Sequence, residues 1–328
     1  MNVLVDRFGR PLTNLRVSLN YECNYSCLFC HREGVTDKRK QELTREQLLS
    51  VIQAAYELGV KSFKLTGGEP LLRRDLTPLA REISNLGRDL ELSITTNGFF
   101  LEERAAELAE AGVHRVNVSL HSLRENVYSR LTGGGALARV LSGIDAALDA
   151  GLRVKINFVL TQLNREDVPR VLEYASSKGV DVNIIELIPL GLGERSFNDL
   201  YLAVEEVLPY IRDHATKLER RELHNRPVYV LESGVRVELV ANYRNPAFCA
   251  GCRRLRLTHD GRLKVCLYRE EPSIDLRQIL ASTACEEVLE GVKAALIRAN
   301  ELREPYFRLE GGVVKDVYGN PLGPPRNL

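Results

Sequence analysis

Six of the seven cysteines in this 328-residue chain fall into two tight triplets, with more than 200 cysteine-free residues between them. Cys23, Cys27 and Cys30 make a C-x3-C-x2-C; Cys249, Cys252 and Cys266 make a C-x2-C-x13-C. An odd total forbids complete pairing within the chain. Clustering of this kind in a reducing compartment reads as metal ligation rather than as a disulfide framework. The seventh, Cys285, stands outside both triplets and reads as a core thiol.

Composition bounds the rest. With 44% apolar and 27% charged residues, the chain can bury a full core in one large domain or two modest ones. Lys+Arg is 45 and Asp+Glu is 44, a formal net charge of +1, which excludes a general nucleic-acid binder. Any anion site must be local. No run of about 18 apolar residues offers a membrane span. The start, Met1 to Arg7, lacks the apolar stretch of a signal peptide, so a cytoplasmic location is expected.

Between residues 14 and 190, short β-branched runs alternate with amphipathic segments. Candidate strands cover 15–19, 61–65, 90–95, 115–120, 154–160 and 182–188. Thr44 and Gln47 fit a capping box ahead of Leu48, Ile52 and Ala55, and Gly59 stops that helix. Thr77-Pro78 marks a second helix start, and Gly87 its end. Gly112, Gly151 and Gly179 each follow a helical segment and precede a strand. Such units predict an α/β fold: an incomplete (β/α)6 TIM-like barrel over residues 1–195, with a flavodoxin-like open sheet as the competitor. Residues 196–328 read as a C-terminal α+β extension. It is expected to be helical over 202–218, β over 227–240 with a turn at Gly234, a hairpin over 255–267 and an extended tail from about 305.

Three thiolates within eight residues, directly after the first strand, can wrap one metal centre and leave a position open. Structural zinc usually takes four ligands, and a 4Fe–4S cluster normally takes four cysteines, so three would leave one iron free. His31 could supply a fourth ligand, which keeps a zinc knuckle in play; Cys27 and Cys30 alone could form a redox pair. With Phe29 before the last cysteine, in the loop after the first strand of a β/α repeat, the motif resembles the radical S-adenosylmethionine (SAM) superfamily. The resemblance implies a 4Fe–4S cluster whose free iron chelates the SAM amine and carboxylate. Once reduced, that cluster cleaves SAM to a 5′-deoxyadenosyl radical.

Other segments agree. Thr66-Gly67-Gly68-Glu69-Pro70 ends the second strand, at the face where β/α barrels gather their active sites. Alone it is a tight turn; after this triplet it resembles the superfamily segment that holds the SAM amino group. Thr95 ends the third strand and Ser119 the fourth. Lys155 lies on the fifth, where outer helices leave a lysine the barrel mouth.

In the second triplet, Phe248-Cys249-Ala250-Gly251-Cys252 leads into Arg254-Leu255-Arg256. A two-residue turn at Asp260-Gly261 would set Leu255 opposite Cys266. A three-residue turn at His259-Asp260-Gly261, with Gly261 left-handed in a bulge, sets Arg254 opposite Cys266. Cys252, Arg254, Arg256 and Cys266 then share a face. The second register is favoured because it joins thiolates to guanidiniums, whose planar forks suit phosphate. A zinc-stabilised hairpin is the plainer alternative. From Asp6-Arg7-Phe8-Gly9-Arg10-Pro11 to about residue 280, the chain resembles the GTP 3′,8-cyclases, the A proteins of molybdenum cofactor biosynthesis.

That resemblance implies a lyase making 3′,8-cyclo-7,8-dihydro-GTP. The deoxyadenosyl radical takes hydrogen from the ribose 3′ carbon, which then attacks carbon 8 of guanine. It implies two 4Fe–4S clusters, each held by three cysteines: Cys23, Cys27 and Cys30, then Cys249, Cys252 and Cys266. SAM would meet Phe29, Gly68, Ser119 and Ile188, the last often Met in the family. GTP would meet Arg16, Lys64, Thr95, Lys155, Arg254, Leu255 and Arg256. An electron donor and the next enzyme, cyclic pyranopterin monophosphate synthase, are the implied partners, and a homodimer is admitted. Two departures stand out. Family members commonly end in Gly-Gly, a tail that reaches the active site, whereas this chain ends Pro325-Arg326-Asn327-Leu328. His121 and Arg253 stand where many members carry Asp and Asn. The competing readings are a peptide- or haem-modifying radical SAM maturase and a non-enzymatic iron–sulfur or zinc protein.

Overall fold

The six expected strands form, in a computed structural model that describes residues 3–35 and 41–326. They are β1 (Asn14–Ser18), β2 (Ser62–Thr66), β3 (Glu91–Thr96), β4 (Arg115–Ser119), β5 (Arg153–Leu160) and β6 (Asp181–Glu186). All pair in parallel, in sequence order. A flavodoxin-like sheet would instead place the first strand inside the order, so the partial barrel stands. Between the strands run α1 (Arg45–Glu57), α2 (Leu76–Ser84), α3 (Leu101–Glu110), α4 (Glu125–Thr132), α5 (Leu137–Asp149) and α6 (Val168–Lys178). The capping box forms: Thr44 Oγ1 accepts from the Gln47 N–H, and the Gln47 side chain accepts from the Thr44 N–H. α2 begins at Leu76, slightly earlier than Thr77-Pro78 suggests, because Pro78 still falls in the first turn, where its missing N–H costs nothing.

Strand alternation explains the interior. Val17, Phe63, Leu65, Ile94, Val116, Val118 and Ile156 are wholly buried within the main core cluster, which also takes in residues of the surrounding helices. The alternate residues are polar and line a cavity: Arg16, Lys64, Thr66, Thr95, Arg115, Asn117, Ser119, Lys155, Asn157 and Asn183.

The extension joins the same sheet. After α7 (Leu192–Leu200) and α8 (Leu208–Asp213) come β7 (Ala215–Arg221), β8 (Arg226–Leu231) and β9 (Arg236–Val240). After α9 (Pro246–Ala250) come β10 (Arg254–Leu257), β11 (Arg262–Lys264) and β12 (Ser273–Asp275). β9 lies parallel to β6 and β10 parallel to β1, so one 12-stranded sheet runs β12-β11-β10-β1-β2-β3-β4-β5-β6-β9-β8-β7. α10 (Arg277–Leu280) and α11 (Cys285–Glu301) follow. Among the described residues no helix is long and apolar enough to cross a membrane.

Three expectations are corrected. The segment 202–218 is helical only over Val204–Glu206 and α8; residues from Ala215 form β7. Its Lys, Glu and Arg content suits a helix, but pairing with β8 overrides propensity. The tail is not extended: β13 (Arg308–Glu310), β14 (Val313–Lys315) and β15 (Pro321–Gly323) form a second, antiparallel sheet. Gly311 and Gly312 both take positive φ, 59° and 78°, and make the two-residue turn between β13 and β14. Cys285 is exposed at the start of α11, not a core thiol.

Arg303, wholly buried after α11, ties the ends of the chain together. It donates to the Arg10 and Cys252 carbonyls and to Asn300 Oδ1, and stands 3.7 Å from Asp6. Arg303→Leu is expected to lower unfolding stability by about 3 kcal/mol. An unchanged denaturant midpoint would show that the network contributes nothing.

Candidate functional site

A cavity of about 320 Å³ is lined by all six triplet cysteines. Phe29, Gly68, Ser119 and Ile188 line it too, as do Arg16, Lys64, Thr95, Lys155, Arg254 and Arg256. Leu255 does not reach it. Its neighbours on β10 face the cavity, and alternation turns its side chain into the core, where it is fully buried.

The first triplet occupies the loop after β1, held down by the end of β2. Gly68 N–H donates to the Asn20 carbonyl and Glu69 N–H to that of Glu22, both within 3.0 Å. A Cβ on Gly68 would stand 2.0 Å from Glu22 O, so only glycine permits this approach. The Glu69 carboxylate accepts from Leu71 N, Asn97 N and Thr96 Oγ1, and burial raises it to about 7 despite these donors. Cys23 Sγ accepts from Tyr25 N–H. Phe29 packs edge-on against His121, whose Nδ1 accepts from Val159 N–H.

The second triplet follows the favoured hairpin register. Arg256 pairs with Lys264 and Leu257 with Leu263, and Thr258 N–H reaches the Arg262 carbonyl. Counting back sets Arg254 level with Cys266, and Gly261 has φ +87°. Arg10 and Arg303 bind the carbonyls of Cys249 and Cys252, while Cys249 Sγ accepts from Phe307 N–H.

Each triplet offers three free thiols. His31 directs Nδ1 at the Glu33 N–H, which occupies that nitrogen of the candidate fourth ligand. Among the described residues no three His, Cys, Asp or Glu side chains close on a single-ion site. A set of three soft donors fits a 4Fe–4S cluster with one iron left for another ligand. Burial raises the Cys27 and Cys30 thiols and pushes Cys249 up to about 12. At Cys252 burial acts upward, but Arg303 and Arg10 outweigh it and hold the thiol below its ordinary value. Loading iron onto these thiols must therefore release protons.

Positive charge is concentrated between the triplets. Strand pairing sets Arg256, Arg16, Lys64, Ser93 and Arg115 side by side across β10, β1, β2, β3 and β4. Glu33 accepts from both Arg16 and Arg256, and Arg115 pairs with Glu91. Lys64 has no carboxylate partner among the described residues. Burial, then Arg16, Arg115 and Arg254, hold its ammonium well below its ordinary value. Among the described residues Arg254 has only the neutral Asn14 amide oxygen. Several lining atoms are buried without a partner among the described residues: Arg16 Nε, Thr95 Oγ1, Arg115 Nε, Asn183 Oδ1 and His224 Nδ1. Like charges held together in a low dielectric call for an anion.

Several lining residues escaped the sequence reading. Arg115 and Asn117 share the β4 face of Ser119, so alternation alone could have found them. Arg221, His224 and Arg226 lie in the stretch between the helix expected to 218 and the strand expected from 227, to which the sequence assigns no element. Glu33 carries no signal beyond its nearness to Cys30.

Residues 17–194 match the radical SAM superfamily, and residues 180–308 match the family described as Molybdenum Cofactor Synthesis C. Relatives named "probable GTP 3′,8-cyclase" include one from Metallosphaera sedula, 46% identical over 93% of this chain and 97% of that relative. One from Sulfurisphaera tokodaii is 44% identical over 93% and 97%. Among solved structures, Streptococcus suis SuiB bound to S-adenosylmethionine superposes with a TM-score of 0.61 at 16% identity, covering 86% of this chain and 68% of that one. Native anSMEcpe with bound AdoMet gives 0.58 at 18%, covering 85% and 80%. These two likenesses concern the fold.

Gly68→Ala is expected to lower the iron retained after anaerobic reconstitution, because the loop carrying Cys23 to Cys30 must shift. Undiminished iron would show that the close approach is dispensable.

Proposed function

Because the chain belongs to the radical SAM superfamily and, within it, to the GTP 3′,8-cyclases of molybdenum cofactor synthesis, we propose that its cavity takes SAM and GTP together, between two 4Fe–4S clusters. The observation that carries this reading is one cavity shared by both cysteine triplets and a surplus of buried cations. When bound, the cluster on Cys23, Cys27 and Cys30 and its SAM supply a 5′-deoxyadenosyl radical. Phe29, Gly68, Ser119 and Ile188 hold SAM in place. Arg16, Lys64, Thr95, Lys155, Arg254 and Arg256 grip the triphosphate and so fix the ribose. Arg16 and Arg256 share their donors between Glu33 and phosphate, while Lys64 regains its proton affinity beside the anion. Cys249, Cys252 and Cys266 would hold the second cluster. Phe29 and Leu187, which line the cavity and belong to one apolar cluster, keep water out. The protein's share of the work is orientation and exclusion, since the cofactors carry the hard step. An electron donor, cyclic pyranopterin monophosphate synthase as recipient of the product, a homodimer and a cytoplasmic setting that keeps thiols reduced complete the reading.

The test is anaerobic: reconstituted protein with SAM, dithionite and GTP should yield 5′-deoxyadenosine and a cyclic GTP-derived product. Cys27→Ser should abolish both. Arg256→Ala should lower GTP use about tenfold while SAM cleavage persists. 5′-Deoxyadenosine formed without GTP consumption would assign the chain another substrate.

A further inference from the structure

We propose that Arg221, His224 and Arg226, on the hairpin of the C-terminal extension, form a subsite for the outer phosphates of the nucleotide. This rests on the cyclase reading and adds residues to it. All three line the cavity. Arg221 ends β7, Arg226 opens β8, and the two stand opposite each other across the hairpin.

Their charges exceed what the fold needs. Glu238 on β9 is buried and accepts from Arg221 at 3.0 Å, from Arg226 at 2.8 Å and from Lys155. One carboxylate needs one cation. Three leave a surplus of two, directed toward a cavity where Lys64 and Arg254 already lack carboxylate partners among the described residues. The charge of Arg226 reaches both of those groups. Lys155 and Arg226 are buried and Arg221 is partly exposed toward the cavity; the buried part of this surplus is unfavourable by itself and is relieved by an anion. Guanidinium forks match phosphate oxygens, and Arg221 and Arg226 present two of them.

His224 supplies the independent sign. The residue is only 6% exposed, and Nδ1 is buried with no partner among the described residues. The ring is stacked on Phe248 with centroids 4.0 Å apart and planes within 5°. Burial, then Arg254 and Arg226, keep it uncharged. The turn is preformed: His224 N–H donates to the Gly251 carbonyl, and Asn225 Nδ2 to that of Ala247. The subsite is thereby fastened to the segment that carries Cys249 and Cys252.

The plain alternative is that these cations only neutralise Glu238. Equilibrium binding of GTP and GMP to the reconstituted, unreduced full chain separates the two. Arg221→Gln should weaken GTP about tenfold and GMP less than about twofold; Lys217→Gln, on the exposed side of β7, should change neither. Glu238→Gln frees positive charge and should tighten GTP relative to GMP while lowering the melting temperature. A merely structural role would weaken both nucleotides alike. Equal losses for GTP and GMP in Arg221→Gln, no loss for either, or an unchanged GTP-to-GMP ratio in Glu238→Gln overturns the subsite alone. Failure of the unaltered chain to bind GTP overturns the cyclase reading, and the subsite with it.

Discussion

The parallel pairing of β10 with β1 is the contact on which the site depends. Asn14 pairs with Arg254 and Arg16 with Arg256, so a strand from the far end of the chain extends the barrel sheet beyond its first strand. The loop leaving β1 carries the first cysteine triplet; the residues entering β10, and the turn beyond its hairpin, carry the second. One register thus brings two cysteine triplets to one cavity. A slip of one residue would turn Arg254 and Arg256 into the core and Leu255 into the cavity. Lys264, buried on β11, donates to the Gly34 carbonyl and holds the end of the first cysteine loop to the same hairpin.

The second constraint is electrostatic. A chain of net charge +1 gathers its cations on the inner faces of strands, where water cannot screen them. Glu33 and Glu238 each hold two or three of these cations, and among the described residues Lys64 and Arg254 are left without carboxylates. Near neutrality overall and a strongly positive interior are compatible because the surface carries the balancing acids. Part of the fold's stability is given up to keep the cavity ready for an anion.

The barrel was legible because its signals are local. Period-two alternation, the Thr44–Gln47 cap and the glycines after helices each act within a few residues. The hairpin register was only half legible: two turn lengths fit His259-Asp260-Gly261, and the joining of thiolates to guanidiniums favoured the one that forms, with Gly261 left-handed. What escaped depends on partners remote in sequence. β7 is a charged edge strand that exists because β8 pairs with it; a helix expected to end at 218 covered its first half, and Arg221 fell in the unassigned stretch before the strand expected from 227. Glu33 becomes important only when Arg16 and Arg256, 240 positions apart, meet around it. Leu255 was misplaced because a motif names consecutive residues, while a strand shows only alternate ones to a site.

The tail follows from the same logic. The paired glycines of this chain are internal and are used up in the turn between β13 and β14, so they cannot serve as a flexible end. The chain instead returns to the barrel through Arg326, which donates to Glu186, Glu205 and the Tyr243 carbonyl. Glu186 ends β6, lines the cavity and accepts from Tyr201 as well. Burial raises this carboxyl even with Arg326 beside it. Removing the guanidinium would leave the carboxyl more costly still. The C-terminal segment therefore stays at the cavity wall by a buried ion pair, and β15 to Arg326 is part of the enclosure rather than an appendage.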